Sequence, residues 1–257
     1  MRAIPANLRE QIAALTATQA GTLAVGGVAV GAAASLHQLP LGVVHEWMSV
    51  EEEAPSRDRW VAPHGMILFL LWQMLEAEVA STAAGRSRER LVAWIGRRAW
   101  PAPRAMIAAQ GSRAMLARSL FIDTEASRID TEARRVDAGA HRLWAAEQAL
   151  ACDGVMAAIW DAEGFDMVAS RRTQLAAARS RDRPPVLALA VRPWRERTML
   201  TAAATRWGVH PVAQGSAEAR ADAPAWRAEL LRGRGSAGFG GESRVLQATA
   251  PWSWRGG

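Results

Sequence analysis

Short apolar runs alternate with longer helical stretches between residues 41 and 191. Five runs have the length and composition of strands buried on both faces of a sheet: residues 43–48, 91–95, 119–122, 155–160 and 186–191. The stretches between them predict helices at 65–80, 104–117, 134–151 and 165–179, although Gly111 weakens the second. This alternation predicts an α/β fold with a mainly parallel sheet flanked by helices.

The chain after Pro193 has a different pattern. Three extended stretches, 203–212, 226–232 and 244–249, follow one another with Gly-, Ala- and Ser-rich sequence between them. Strands joined without an intervening helix pair antiparallel, so we expect an antiparallel extension at one edge of the sheet.

The N-terminal region predicts a short helix and a connection. Leu8, Ile12 and Leu15 fall on one face of an amphipathic helix over residues 5–18. Residues 21–40 lack a sustained period and contain several glycines, which is typical of a connecting segment. We therefore divide the chain into an N-terminal helix and linker (1–38), one main domain (39–250) and a C-terminal tail (251–257).

Composition favours one domain with a basic surface. The chain has 257 residues, half of them apolar, and a net charge of +6, which suggests contact with nucleic acid or another acidic partner. All 31 basic residues are Arg, however, a bias that a GC-rich genome also produces. Cys152 is the single cysteine, which excludes an intrachain disulfide and favours a reducing, cytoplasmic location. The apolar stretch 21–36 is too short and Gly-rich for a membrane span, which needs ~20 residues.

The first strand-to-helix connection, residues 49–64, lies where a nucleotide-binding fold carries its phosphate loop. Such a loop needs glycines for curvature and a Lys for the outer phosphates. This connection has no glycine before Gly65, it contains Glu51, Glu52 and Glu53, and the whole chain lacks Lys. We therefore expect a degenerate phosphate loop, no catalysis, no cofactor and no bound metal.

Asp161 closes the fourth predicted strand. An apolar run followed by Asp places a carboxylate near the nucleotide's magnesium in P-loop proteins. An Asp at a strand end is also a common turn residue, and without a phosphate loop that interpretation is preferred.

Two further patterns suggest binding. Arg192, Arg195 and Arg197 flank Trp194 after the fifth strand, as in contacts to single-stranded nucleic acid, although a solvated loop also fits. In the tail, Trp252 and Trp254 would project from one face of an extended segment and dock a partner, or fold back over the antiparallel extension.

The adjacent pair His45 and Glu46 resembles an acid/base couple. Successive side chains of a strand point to opposite faces, so the two could not act on one substrate. Buried hydrogen-bonding roles are therefore expected.

Four segments resemble, in order and spacing, those of the ImuA family, RecA-like proteins of bacterial mutagenesis cassettes. They are PLGVVHEW (40–47), LWAAEQAL (143–150), ASRRTQLAAA (169–178) and WRAELLRGRG (226–235), and the resemblance covers residues 39–249. VHEW is similar to RecA's first core strand, HGMILFLLW to the helix after its phosphate loop, and MAAIWD to its magnesium-side strand. Among RecA's nucleotide-binding residues, Gly65 and Asp161 are the counterparts.

The resemblance implies a RecA-like core and a non-catalytic accessory role in SOS-induced translesion DNA synthesis. The implied partners are ImuB, an inactive polymerase relative, and an error-prone C-family polymerase, with RecA as a further candidate. Connections 162–166 and 192–198 are short where RecA carries its long DNA-binding loops, which argues against filament formation on DNA. Weak DNA binding is left open. Two alternatives remain open: a nucleic-acid-binding ATPase with an unrecognised nucleotide loop, and a cell-division inhibitor similar to SulA.

Overall fold

The computed structural model describes residues 22–24, 38–50, 60–83, 89–110, 114–125, 135–178, 184–213, 224–233 and 243–247. The predicted N-terminal helix, the acidic triplet Glu51 to Glu53 and the tail with Trp252 and Trp254 lie outside these residues.

An eight-stranded sheet forms the centre of the protein. Two short strands nearer the N-terminus, β1 and β2, are described below. The strands of the sheet are β3 (Val44–Ser49), β4 (Leu91–Ile95), β5 (Ser119–Ile122), β6 (Val155–Asp161), β7 (Leu187–Val191), β8 (Thr205–Val212), β9 (Ala225–Gly233) and β10 (Ser243–Gln247). Their order in the sheet is β10-β9-β8-β3-β7-β6-β4-β5. The six strands from β8 to β5 are parallel, and β9 pairs antiparallel with both β8 and β10.

Helices cover both faces of this sheet. Leu and Met side chains of α1 (His64–Ala83), α2 (Pro103–Gln110) and α3 (Ala114–Ala117) pack on one face around Trp47 and Trp94. On the other face α4 (Arg135–Leu150) and α5 (Met167–Ala177) pack against β-strands largely through alanines. Each face of the sheet therefore has its own hydrophobic core, one rich in large side chains and one rich in alanine, because successive side chains of a β-strand point to opposite faces.

The predicted mixed α/β architecture is confirmed. The five core strands lie within one residue of the predicted bounds, and 104–117 divides into α2 and α3, with residues 111–113 outside the described part. The three C-terminal strands pair antiparallel with one another, as expected. β8 joins the sheet parallel to β3, however, because the 192–204 connection crosses β3 before β8 begins.

The segment predicted as a connection contains a small antiparallel pair. β1 (Thr22–Ala24) and β2 (Gln38–Pro40) pair over three residues. Three residues are too few for a visible alternation of apolar and polar positions, so the sequence pattern missed them.

Within the part of the chain that the structure describes, no helix combines the length and apolar character that crossing a membrane requires.

Candidate functional site

The carboxyl ends of the parallel strands are where ligands of open α/β sheets bind. In this protein, two groups of ion-paired side chains lie at or near that edge. The inner cluster consists of Glu46, Arg192, Glu196, Thr201 and Arg206. The outer cluster consists of Arg98, Arg142, Asp161, Glu163 and Arg195.

Strand register brings the inner cluster together. Glu46 of β3 lies directly beside Arg206 of β8, and Arg192 follows β7 on the other side of β3. The backbone N–H of Arg192 donates to the Trp47 carbonyl (3.0 Å), which holds the start of the 192–204 connection against β3. The cluster therefore joins the middle of β3 to the start of β8 and to the residue that follows β7.

Glu46 accepts hydrogen bonds from three side chains. Arg206 Nε (2.7 Å) and Thr201 Oγ1 (3.0 Å) donate to Oε2, and Arg192 Nη1 (3.3 Å) donates to Oε1. All three donors and Glu46 itself are buried. Buried charges are tolerated when they are paired and fully hydrogen-bonded, and Glu46 meets that condition.

Arg192 and Glu196 tie the 192–204 connection to the segment after β6. Arg192 Nη2 donates to the Phe165 carbonyl (2.8 Å) and its Nε donates to Glu196 Oε2 (3.0 Å). The other oxygen of Glu196 accepts from the Gly164 N–H (3.0 Å). The charged groups of Arg192 and Glu196 are thus both bonded to partners within the protein.

Arg142 and Asp161 form the centre of the outer cluster. Asp161 is fully buried at the end of β6, and Arg142 Nη1 of α4 donates to its Oδ2 at 2.5 Å. Its Oδ1 accepts from the Glu163 N–H (2.9 Å). Gly96 makes room for this pair, because a Cβ there would lie 3.1 Å from Asp161 Cβ and 3.2 Å from Arg142 Cδ.

Glu163 completes the outer cluster nearer the solvent. Arg98 and Arg195 each donate to one of its carboxylate oxygens, and Trp60 Nε1 donates to Oε2 (3.2 Å). The Arg98 guanidinium lies over the Trp60 ring, 5.5 Å from its centroid. Arg98 and Arg195 remain partly exposed, so this part of the edge is accessible to water.

Burial dominates the ionisation of Asp161. Desolvation raises the pKa of its carboxyl, while the nearby charges of Arg142, Arg98 and Arg192 act in the opposite direction. A guanidinium, that of Arg142, therefore lies directly beside the Asp161 carboxylate. Among the described residues, no group of three or more His, Cys, Asp and Glu side chains could hold a metal ion.

Gly65 is the second residue of α1 and packs against β9. A Cβ at this position would lie 3.0 Å from two ring atoms of Trp226. The absence of a side chain thus allows the start of α1 to approach the indole. This contact alone accounts for a glycine at position 65, without any role in binding phosphate.

The expected contact surface around Trp194 requires one correction. Arg192 is fully buried in the inner cluster, so its guanidinium cannot reach a nucleic acid or a partner. Arg195 and Arg197 are exposed, and the Arg197 guanidinium stacks on the half-buried Trp194 ring 5.2 Å from its centroid. Arginines at 195 and 197 are therefore the accessible part of the predicted group.

The structure assigns His45 and Glu46 separate buried roles. His45 Nε2 lies 2.8 Å from the Pro40 carbonyl and Nδ1 lies 2.7 Å from Thr205 Oγ1. Burial lowers the pKa of His45 to about 4, so the ring is neutral near pH 7. The prediction of buried hydrogen-bonding roles for the pair is confirmed.

Six members of the two clusters were missed by sequence reasoning: Arg98, Arg142, Glu163, Glu196, Thr201 and Arg206. One usable signal was present for Arg206, because it lies in a stretch predicted as a strand and a charged side chain in a covered strand needs a partner. The sequence contains no comparable signal for Arg142, whose partner Asp161 lies on another element.

Comparison of the chain with protein-family models and with curated proteins gives no match.

Proposed function

We propose that this protein is a RecA-like, non-catalytic member of the ImuA family, which holds the proteins of SOS-induced translesion synthesis together. Its partners in this proposal are an ImuB-type inactive polymerase and an error-prone C-family polymerase. The proposal combines the four ordered sequence resemblances with the architecture and with the chemistry of the sheet's carboxyl edge.

The architecture supports a RecA-like core. β3, which is similar to RecA's first core strand, lies inside the sheet and is followed by the apolar helix α1. β6, which is similar to the magnesium-side strand, lies two positions away with β7 between them. The antiparallel strands β9 and β10 form the opposite end of the sheet from β5.

The ion pair between Arg142 and Asp161 is the main observation in favour of a non-catalytic protein. A cation site beside Asp161 would require removal of a guanidinium bonded at 2.5 Å in a buried environment. Breaking such a pair leaves a carboxylate without its main compensating charge. The absence of Lys and the carboxylates Glu51 to Glu53 also disfavour binding of a triphosphate.

Co-expression with the ImuB-type protein and the C-family polymerase of the same organism tests the adaptor role. We expect this chain to co-purify with the ImuB-type protein, and the yield to be the same with Mg-ATP, with EDTA and in the Asp161→Asn variant. Nucleotide-independent assembly distinguishes an adaptor from an ATP-driven switch, whose complexes would depend on the nucleotide. Failure to assemble, or assembly that requires ATP and Asp161, would overturn the proposal.

A further inference from the structure

Two neighbouring helices on one face of the sheet carry three large apolar side chains that lie mainly in water. Trp144 of α4 is 63% exposed, and Val168 and Leu175 of α5 are 66% and 54% exposed. We call these three residues the 144/168/175 surface. Single exposed apolar residues are ordinary, but a group of neighbours indicates an interaction site.

Helix periodicity places Val168 and Leu175 on one line along α5. They are seven residues apart, which is close to two full turns, so they point in the same direction. The opposite side of α5, with Ser170, Thr173 and Ala177, is buried. Val168 and Leu175 thus form an apolar ridge about 10 Å long on the outer side of the helix.

An ion pair fixes Trp144 beside this ridge. α4 and α5 each run back between parallel strands, so the two helices are parallel to each other, and they pack side by side. Arg172 of α5 donates from Nε and Nη2 to the two carboxylate oxygens of Glu147 of α4, both at 2.7 Å. Trp144 lies three residues before Glu147, and Val168 lies four residues before Arg172, so both lie about one turn before the ion pair. Packed helices are about 8–10 Å apart, a distance that a third helix seated on both can bridge.

The charges around this surface are balanced. Arg172 and Glu147 neutralise each other. Arg171 is an exposed cation on the outer side of α5, and Asp166 is an exposed carboxylate at its start that caps the helix through the Ala169 N–H. A surface with apolar anchors and little net charge favours an apolar helix face over a nucleic acid, which requires several cationic contacts to phosphates.

The segment that the sequence predicts as an amphipathic helix, residues 5–18, matches this surface in length and charge. We call it the N-terminal segment. Its apolar residues Leu8, Ile12 and Leu15 also extend over seven residues, so the predicted helix carries a ridge as long as that of α5. Arg9 and Glu10 are its only charged residues, and their charges cancel.

The first described strand begins within reach of α5. Thr22, the first residue of β1, pairs with Pro40 of β2. Just after β2, the Gly42 N–H donates to the Val186 carbonyl (2.8 Å), and a Cβ at Gly42 would lie 3.5 Å from the carbonyl oxygen of Ala177, the last residue of α5. The three residues between the N-terminal segment and β1 can extend over about 10 Å. A helix formed by the N-terminal segment would be about 21 Å long, which exceeds the ~16 Å of α5, so the segment can cover the whole ridge.

We propose that the N-terminal segment docks as a helix on the 144/168/175 surface of its own chain, through its three apolar residues. Attachment to the same chain raises the effective concentration of the segment, so a small apolar contact is sufficient. A second copy of the chain fits less well, because a stable interface needs about 800 Å² on each partner, which three partly exposed side chains do not provide. The inference goes beyond the adaptor role and does not depend on the partners proposed above.

Chemical cross-linking within the intact chain tests this inference. Cys152, the single cysteine, is exposed, so it is first removed by Cys152→Ala. Gln11→Cys then places a thiol beside the apolar side of the N-terminal segment, and Arg171→Cys places one beside the ridge. A short bismaleimide joins the two thiols when they are close. The control pair combines Gln11→Cys with Arg104→Cys, at an exposed position of α2 on the other face of the sheet.

We expect an internal cross-link between positions 11 and 171, identified by mass spectrometry of tryptic peptides. Its yield should exceed that of the control pair at least roughly fivefold, because docking raises the local concentration of the two thiols. V168D/L175D should lower this yield to that of the control pair, since both side chains of the ridge lose their apolar contacts. L120D/L200D makes the same chemical change at positions that are 46% and 72% exposed, and it should leave the yield unchanged. Circular dichroism confirms that each variant is folded, as expected for changes at exposed positions.

Three outcomes would overturn the proposal. The first is an equal yield from the two cysteine pairs, and the second is a yield that V168D/L175D leaves unchanged. The third is a product that consists of cross-linked dimers, which would place the N-terminal segment on a second copy of the chain. Cross-linking is measured without partner proteins, so failure here leaves the co-purification test of the adaptor role independent.

Discussion

The inner and outer clusters contain the same kinds of side chain at the same edge of the sheet, but they differ in their access to water. Glu46, Arg192 and Arg206 are buried and bonded to one another across three strands. Glu163 shares its oxygens between two arginines that remain partly exposed. Because buried charges depend on their partners more than exposed charges do, we expect the inner cluster to contribute more to the stability of the fold than the outer cluster.

The largest effect is expected for Glu46→Gln. This change keeps the size of the side chain but removes the charge that Arg192 and Arg206 share, so two guanidiniums remain buried with too little compensation. The free energy of unfolding should fall by about 3 to 5 kcal/mol in urea titrations. A loss below about 1 kcal/mol would contradict the structural role of the inner cluster.

His45 lies on the face of β3 opposite Glu46, and its lowered pKa should make the stability of the protein depend on pH. Its folded pKa of about 4 lies below its ordinary value of 6.5, so the unfolded chain takes up a proton first as the pH falls. This contribution is present above pH 6.5 and is lost towards pH 4, for a total of roughly 3 kcal/mol.

The His45→Gln variant isolates this contribution from the other groups that titrate. Burial also lowers the pKa of His64, so the variant should retain part of the pH dependence. Unfolding free energies measured from pH 7.5 to pH 4.5 should fall less steeply in the variant than in the wild type. Parallel curves would show that His45 is not a buried neutral ring.

In the outer cluster, Arg142→Ala removes the main partner of Asp161. The expected loss is about 2 kcal/mol at pH 7.5, because a buried acceptor loses its charged donor. Burial already raises the pKa of Asp161, and removal of Arg142 raises it further. Since a protonated carboxyl is cheaper to bury, the loss should shrink towards pH 5. Arg142→Lys should retain most of the stability, and a loss independent of pH would disagree with this explanation.

The smallest effect is expected for Glu163→Gln, the same substitution as Glu46→Gln but at a partly buried carboxylate of the outer cluster. Arg98 and Arg195 can be solvated when the carboxylate is lost, so the unfolding free energy should fall by about 1 kcal/mol or less. If both glutamine variants lose equal stability, the contrast between the two clusters is wrong.

The sequence predicted strands better than the side-chain partners at their ends. β4 and β5 match their predicted bounds because compact apolar runs are followed by turn residues. Glu46 and Asp161 also stand out in sequence, since each is a charge in or directly after an apolar run. Their partners could not be predicted, because the register of β8 beside β3 and the packing of α4 on β6 are decided by the tertiary fold. Arg192 is buried because it bonds Glu46 and the Phe165 carbonyl, which are distant in sequence. Its neighbours in the RPWRER loop therefore could not indicate that it is buried.

We propose that the Arg142–Asp161 ion pair takes the place of a nucleotide's cation, and titrating the purified protein with a fluorescent ATP analogue in Mg²⁺ tests this most directly. The wild type should show no saturable binding with a Kd below roughly 1 mM, and no phosphate release above background. Saturable, Mg²⁺-dependent binding with ATP turnover that Asp161→Asn abolishes would contradict the claim.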